Sequence, residues 1–98
     1  MERYRLSWIP STSSNASTQN VVAILNAGPE TILASGLLMT TGSIEHDFET
    51  NTDVIWTVVT YNSNLSQSVE SAADEFLAEN LEALSPATSL SHEWILHT

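Results

Sequence analysis

The sequence predicts a mainly β protein, an antiparallel β-sandwich. Residues 4–10 and 53–62 carry this prediction, because both segments alternate large apolar and polar residues with a period of two. Each segment aims a tryptophan, Trp8 or Trp56, at one face. Turn-forming residues recur between the other short apolar runs, and this spacing is typical of strands in a two-layered β fold.

The first strand is predicted over residues 4–10, with Leu6 and Trp8 on the same face. Pro10 ends this strand, because proline has no N–H to donate to a neighbouring strand. Residues 11–20 are almost entirely polar, and we expect them to form a loop.

A hairpin is predicted next. Residues 21–25 are aliphatic and mostly β-branched, a pattern that favours a strand buried on both faces. Residues 26–29, with the sequence Asn-Ala-Gly-Pro, are a strong turn signal. Residues 30–35 then form the return strand, which Gly36 closes.

Two more strands follow the hairpin. Residues 43–48 alternate, and residues 50–53 indicate a turn after them. Residues 54–62 form the longest predicted strand, with Val54 and Trp56 on the same face.

The secondary structure of the C-terminal extension is less clear from the sequence. Residues 65–69 could open a last strand of the sandwich. Residues 71–75 resemble a helix capping box, and apolar residues recur at helical spacing up to residue 84, so we expect a short helix over 72–84, with a strand as the alternative. Residues 89–98 alternate again and predict one extra strand.

The composition limits the classes of function. A chain of 98 residues is one domain on ordinary size priors, and without cysteine it has neither disulfides nor thiolate metal sites. Twelve carboxylates face only two arginines, Arg3 and Arg5, which gives a net charge of −10. Such a charge repels nucleic-acid backbones and anionic membranes, so we expect neither as a partner.

No motif predicts catalysis. His92 and His97 are five residues apart and would lie on opposite faces of a strand, which argues against a shared metal. The cluster Glu45-His46-Asp47 with Asp53 lacks the loop pattern of a calcium site and predicts a solvated surface. The sequence has no Gly-x-Ser-x-Gly motif and no glycine-rich phosphate loop. We therefore expect no catalytic residue, cofactor or metal, and no enzymatic activity.

Several motifs occur in the order found in fibronectin type III domains. Residues 6–10, Leu-Ser-Trp-Ile-Pro, resemble the second strand of that family. Residues 28–37 resemble the glycine turn and following strand of many bacterial and phage members, and residues 47–48 resemble the strand before the long connection. Residues 56–62 resemble the sixth strand with its closing asparagine. The resemblance covers residues 4–70 and implies an immunoglobulin-like, fibronectin type III-like sandwich.

The sequence also departs from that family. Val54 stands where the family has a tyrosine, and residues 21–25 lack the family's aromatic. Nothing before Leu6 supplies the family's first strand. We therefore divide the chain into a sandwich over residues 1–70 that lacks this strand, and an extension over residues 71–98 that completes the sandwich or contacts a neighbouring subunit.

The extension supplies the predicted interface. Trp94 lies within it, and a tryptophan often contributes a large share of binding energy. The predicted interface residues are Trp94, Ile95, Leu96, Leu90, Phe76, Leu81 and Leu84.

These observations and the resemblance lead to an expected function. We expect a non-enzymatic structural or interaction protein, a bacteriophage virion component such as a capsid decoration, neck or tail protein. It would form homo-oligomers on a capsid or tail lattice and be assembled in the host cytoplasm, since its first residues do not resemble a signal peptide. The alternatives are a carbohydrate- or protein-binding module of a secreted or adhesive protein, and a small enzyme or metal-dependent protein.

Overall fold

The computed structural model describes residues 1–65, 68–79 and 92–98. The strands in these ranges are β1 (Glu2–Ser7), β2 (Ala16–Leu25), β3 (Glu30–Leu38), β4 (Ser43–Phe48), β5 (Thr52–Asn62), β6 (Ser68–Glu70), β7 (Asp74–Ala78) and β8 (His92–His97). None of the described segments forms a helix that is long and apolar enough to cross a membrane.

The strands form two antiparallel sheets, as expected for a β-sandwich. The smaller sheet has the order β4–β1–β8, and the larger has the order β3–β2–β5–β6. Strand β7 also pairs with β5, over Thr52–Trp56, whereas β6 pairs with Val59–Tyr61. Strands β6 and β7 therefore share one edge of the five-stranded sheet.

The core lies between the two sheets. It consists of Tyr4, Leu6, Val21, Ala23, Phe48, Val54, Trp56, Val58, Phe76 and Ala78. Aromatic contacts join the sheets: the ring centroids of Tyr4 and Phe76 are 4.7 Å apart, and those of Trp8 and Trp56 are 6.3 Å apart in an edge-on arrangement. The inward faces predicted for the first strand and the longest strand are confirmed.

The predicted hairpin is confirmed as β2 and β3. Its turn has Asn26 and Ala27 at φ values of 52° and 56°, and the N–H of Gly28 donates to the carbonyl of Leu25 at 3.0 Å. Two consecutive residues with positive φ are the mark of a type I′ turn, whose twist matches that of the strands it joins.

Several predicted strand boundaries are wrong. Strand β3 continues past Gly36 to Leu38, and β5 begins at Thr52, within the predicted turn over residues 50–53. Strand β1 covers Glu2–Ser7 and not residues 4–10. Strand β2 begins at Ala16, within the predicted loop over residues 11–20. The polar residues at its start pair with β5, and the Gln19 side chain is fully buried because its polar atoms find partners inside the sandwich.

The helix predicted over residues 72–84 is wrong for the described part of that range, where β7 pairs with β5. Phe76 points into the core and Leu77 points outward, which is strand alternation. Ser71 does not cap a helix: its hydroxyl accepts a hydrogen bond from the N–H of Val58 at 3.0 Å. Pairing with β5 provides hydrogen-bond partners for backbone N–H and C=O groups that a helix would have paired within itself.

Candidate functional site: the C-terminal strand and the sheet edges

Four of the seven predicted interface residues lie in the described part of the chain. Trp94, Ile95 and Leu96 lie in β8, which pairs antiparallel with β1 of the same chain. Phe76 lies in β7. The other three, Leu81, Leu84 and Leu90, lie outside the described residues. The described part of the extra strand predicted over 89–98 is present as β8 (His92–His97), and residues 89–91 lie outside the described residues.

A buried carboxylate holds one end of β8. The Glu2 side chain is fully buried and receives hydrogen bonds from Thr50 Oγ1 at 2.6 Å and Trp94 Nε1 at 3.0 Å. His97 Nδ1 lies 2.7 Å from Glu2 Oε2. Burial alone would raise the pKa of Glu2, but these hydrogen bonds and the charge of His97 outweigh it and lower the pKa to about 2. Glu2 is therefore ionised and fully engaged.

A second carboxylate holds the other end of β8. Asp74 Oδ2 lies 2.8 Å from His92 Nδ1 and accepts a hydrogen bond from Trp56 Nε1 at 2.8 Å. His92 also stacks on Phe76 with ring centroids 4.0 Å apart. Because Asp74 belongs to β7 and Trp56 to β5, this contact ties β8 to the opposite sheet.

A β-bulge places both histidines of β8 on the same side. Tyr4 pairs with Trp94 and Arg3 pairs with Leu96, so Ile95 is an extra residue in the ladder. The extra residue reverses the alternation, and His97 then faces Glu2 on the side where His92 faces Asp74. The expectation that the two histidines lie on opposite faces is wrong for this reason.

Phe76 is a core residue. Only 7% of it is exposed, and its ring contacts those of Tyr4, Phe48 and His92. Trp94 is half-buried and packs against the core, whereas Leu96 is exposed. Within β8, Leu96 is thus the predicted interface residue with the largest exposed fraction.

Exposed apolar side chains follow the sheet edges. The large apolar residues of the described strands that are well exposed are Ile32 and Leu38 of β3, Val69 of β6, Leu77 of β7 and Leu96 of β8. Each of these strands lies at an edge of its sheet. An edge strand with exposed apolar side chains offers both backbone hydrogen bonds and apolar contact to another chain.

The β4 edge is different because it is charged. Asp47 and Glu45 of β4 form ion pairs with Arg3 and Arg5 of β1, at 2.9 Å and 3.3 Å. The hydrogen bond from Arg3 is the main reason why the pKa of Asp47 is lowered. Charged side chains of this kind protect an edge from pairing with another strand.

The two sheets differ in charge. Both arginines and all three histidines of the chain lie in the three-stranded sheet, on β1, β4 and β8. The strands of the five-stranded sheet carry no basic side chain, and their charged residues are Glu30, Asp53, Glu70, Asp74 and Glu75. Hydrogen bonding to Asp53 and repulsion from its charge raise the pKa of Glu75.

The depressions on the described surface are open grooves. One, of about 140 Å³, is lined by residues that include Ser11, Asn15, Tyr61 and Val69. It brings together hydroxyl, amide and aliphatic groups at the end of the sandwich. This lining suits surface contact with another molecule.

Sequence reasoning missed the residues that hold the extension in place. Glu2 and Asp74 were not singled out, because nothing in a local pattern shows which carboxylate meets an indole and an imidazole from distant strands. Trp94 was the one available signal. An indole N–H that is half-buried needs an acceptor, and twelve carboxylates of this chain can supply one.

Comparison with known proteins adds no relative. The chain matches no family model, no curated protein and no solved structure.

Proposed function

We propose that this chain is a non-enzymatic structural or interaction protein that docks through its sheet edges and assembles as a homo-oligomer. One observation carries the proposal: the well-exposed large apolar residues of the described strands all lie on edge strands. Strand addition at such an edge combines main-chain hydrogen bonds with side-chain contacts. The C-terminal strand β8 contributes one of these edges.

The hydrogen bonds of three buried or half-buried polar side chains support the same proposal. Glu2 joins β1 to β8, and Gln19 joins β2 to the carbonyls of Leu38 and Thr41. Asp74 joins β7 to β8 and β5. These side chains hold the strands together. The resulting rigid sandwich is suited to present its surfaces to other molecules.

The more specific form of the proposal is a bacteriophage virion component, a capsid decoration, neck or tail protein. It is supported by the resemblance of residues 4–70 to fibronectin type III domains and by an acidic, cysteine-free composition. Mass spectrometry of tailed phage particles from cultures that carry this sequence should detect the chain in many copies per particle. Its absence from purified particles would refute the virion form and leave the docking role.

Light scattering of the full chain tests assembly directly. We expect an oligomer whose mass falls to that of a monomer when Leu38 on the β3 edge is replaced by lysine. Ile9→Lys is the matched control, because Ile9 is 93% exposed but lies on none of the described strands. A wild-type chain that stays monomeric at all concentrations would refute homo-oligomerisation.

A wild-type chain that stays monomeric would favour the alternative function, a carbohydrate- or protein-binding module of a secreted or adhesive protein. The specific observation in its favour is the open groove that contains Tyr61, Asn15 and Ser11. Aromatic and amide groups together are suited to binding sugar rings. A glycan array with the wild-type chain and a Tyr61→Ala variant separates this alternative from docking between proteins.

A further inference from the structure

The outer face of the five-stranded sheet has two aliphatic residues between two carboxylates. Glu30 of β3 pairs with Ile24 of β2, Ile24 pairs with Ile55 of β5, and Ile55 pairs with Glu75 of β7. These four residues form one row across the sheet. Ile24 and Ile55 are half-buried, and both glutamates are exposed.

A shallow groove covers Glu30, Ile24 and Ile55 of this row and then extends to Glu70, beside Glu75 of the row rather than over it. It has a volume of about 210 Å³, and its lining includes Val22, Ile24 and Ile55 with Glu30 and Glu70. Two more apolar residues extend the same surface at the edges: Ile32 of β3 is 61% exposed and Leu77 of β7 is 44% exposed. The centre of the face is therefore aliphatic.

The carboxylates of this face have no basic residue of the same sheet beside them. The arginines of the chain lie on β1, where they pair with Asp47 and Glu45 of β4. Asp53 and Glu75 are neighbours on this face, where a hydrogen bond to Asp53, followed by repulsion from its charge, raises the pKa of Glu75. Positive charge brought by a partner would remove this repulsion as well as pair with the other carboxylates of the face.

We propose that this face binds a basic amphipathic segment of a partner protein. Aliphatic side chains of the segment cover Ile24 and Ile55, and its lysines or arginines pair with Glu30 and Glu75. The inference rests on the proposed function in taking the occupant to be a protein. It goes further by giving the position of the site and the chemistry of the partner.

Other occupants have the wrong charge. A second copy of this face would oppose carboxylates to carboxylates, and nucleic acid or anionic lipid would be repelled in the same way. The charge of the chain as a whole is −10, which steers a cationic segment toward it.

The row also sets the geometry of the segment. Strands β3 and β7 are three strand positions apart in this row, and adjacent strands lie about 4.8 Å apart, so the two glutamates are separated by about 14 Å. A helix is about 10 Å wide with its side chains, so a helix with an apolar stripe flanked by lysines fits between them.

The test uses a synthetic helical peptide of about 18 residues, with a leucine stripe flanked by lysines, and the full-length chain. Binding is measured by fluorescence anisotropy of the labelled peptide. We expect saturable binding that weakens as salt is added. Two control peptides, one with glutamate in place of lysine and one with serine in place of leucine, should bind at least about ten-fold more weakly.

Variants of the chain locate the site. Glu30→Gln and Glu75→Gln should each weaken binding by about three-fold, the usual effect of one exposed charge pair. Ile55→Thr keeps a β-branched side chain and should also weaken it. Glu49→Gln is the matched control, because it removes one exposed carboxylate from outside the face and should leave binding unchanged. Circular dichroism confirms that each variant is folded.

Three outcomes would overturn the proposal. The first is that the lysine–leucine peptide does not bind, and the second is that Glu49→Gln and Glu75→Gln weaken binding equally. The third is that millimolar Ca²⁺ displaces the peptide and that the serine-containing peptide binds as tightly as the leucine-containing one. The last result would mean a simple counterion surface. None of them depends on oligomeric state, so failure here is distinguishable from failure of the docking role tested by Leu38→Lys.

Discussion

The indole N–H of Trp94 donates a 3.0 Å hydrogen bond to Glu2, a residue 92 positions earlier in the chain. The acceptor is a buried carboxylate on the neighbouring strand, and it also contacts His97 and Thr50. The contact fixes the last described strand to the first. The ionised Glu2 side chain therefore holds one end of β8 in place.

Stability should accordingly fall in acid through Glu2. Its pKa is lowered from 4.5 in a free side chain to about 2 in the folded chain, so the unfolded chain binds the proton more tightly. The stabilisation is complete above pH 4.5 and is lost as the pH falls toward 2. Urea unfolding across this pH range measures the loss.

The Glu2→Gln variant isolates this contribution. It should be less stable than the wild type at neutral pH, because the buried acceptor loses its charge, and the difference should shrink as the pH approaches 2. Glu49→Gln, at an exposed position, provides the control. A difference between wild type and Glu2→Gln that does not change with pH would contradict the assignment.

A second prediction concerns the contribution of the buried Gln19 side-chain amide to stability. Its Nε2 donates to the carbonyls of Leu38 and Thr41 at 2.9 Å and 2.6 Å, and its Oε1 accepts from Trp8 Nε1 at 3.0 Å. Gln19→Met keeps the volume and leaves these groups without a partner, so unfolding should become easier by about 2 kcal/mol. Trp8→Phe keeps an aromatic ring and removes only the hydrogen bond to Gln19 Oε1. Its loss of stability in the same urea titration should therefore be smaller.

The core of the sandwich should respond to truncation as a close-packed interior does. Leu6 is completely buried, and Leu6→Ala should cost about 3 kcal/mol because it leaves a cavity between the sheets. Ile9→Ala deletes a similar side chain from a site that is 93% exposed and should change the free energy of unfolding by less than about 0.5 kcal/mol. Equal losses in the two variants would mean that Leu6 does not occupy the core.

Neighbouring residues of β7 distinguish a strand from a helix. Phe76→Ser should destabilise the chain by about 4 kcal/mol, because Phe76 is buried against Tyr4 and Phe48. Leu77→Ser should cost well under about 1 kcal/mol, since Leu77 is 44% exposed on the other face. Thermal unfolding followed by circular dichroism compares the two, and similar losses would restore the helix prediction for this segment.

The hairpin turn offers a stabilising substitution. Ala27 has a φ of 56°, a conformation that costs an L-residue with a Cβ about 1 kcal/mol relative to glycine. Ala27→Gly should therefore raise the melting temperature despite the greater freedom of glycine in the unfolded chain. Ala23→Gly, in the regularly paired part of β2, should lower it. A lower melting temperature for Ala27→Gly would contradict the turn geometry.

Sequence reasoning predicted the fold where the pattern is local. The alternation of residues 54–62 and the Asn-Ala-Gly-Pro turn are properties of neighbouring residues, and both elements are present in the structure. The strand near the C-terminus was also recognised from its alternation, and it pairs with β1.

The errors have a different cause, since they depend on contacts across the fold. Gln19 is polar, but the interior supplies acceptors and a donor for it, so β2 begins earlier than its apolar run. Ser71 begins a helix capping pattern, but its hydroxyl accepts a hydrogen bond from the N–H of Val58. The extra residue at Ile95 changes which way His97 points. Neither the composition nor the spacing of residues shows which distant group a given side chain or strand will meet.

The two ends of the chain lie side by side. The N–H of Thr98 donates to the carbonyl of Met1 at 2.9 Å, and the amino group of Met1 reaches the carbonyl of Thr98 at 3.2 Å. A few glycines would join them and turn β8 and β1 into an ordinary hairpin. Circular permutation, with new termini opened at the Asn26–Gly28 turn, is therefore open to this protein, and so is insertion of the whole domain into a surface loop of another one.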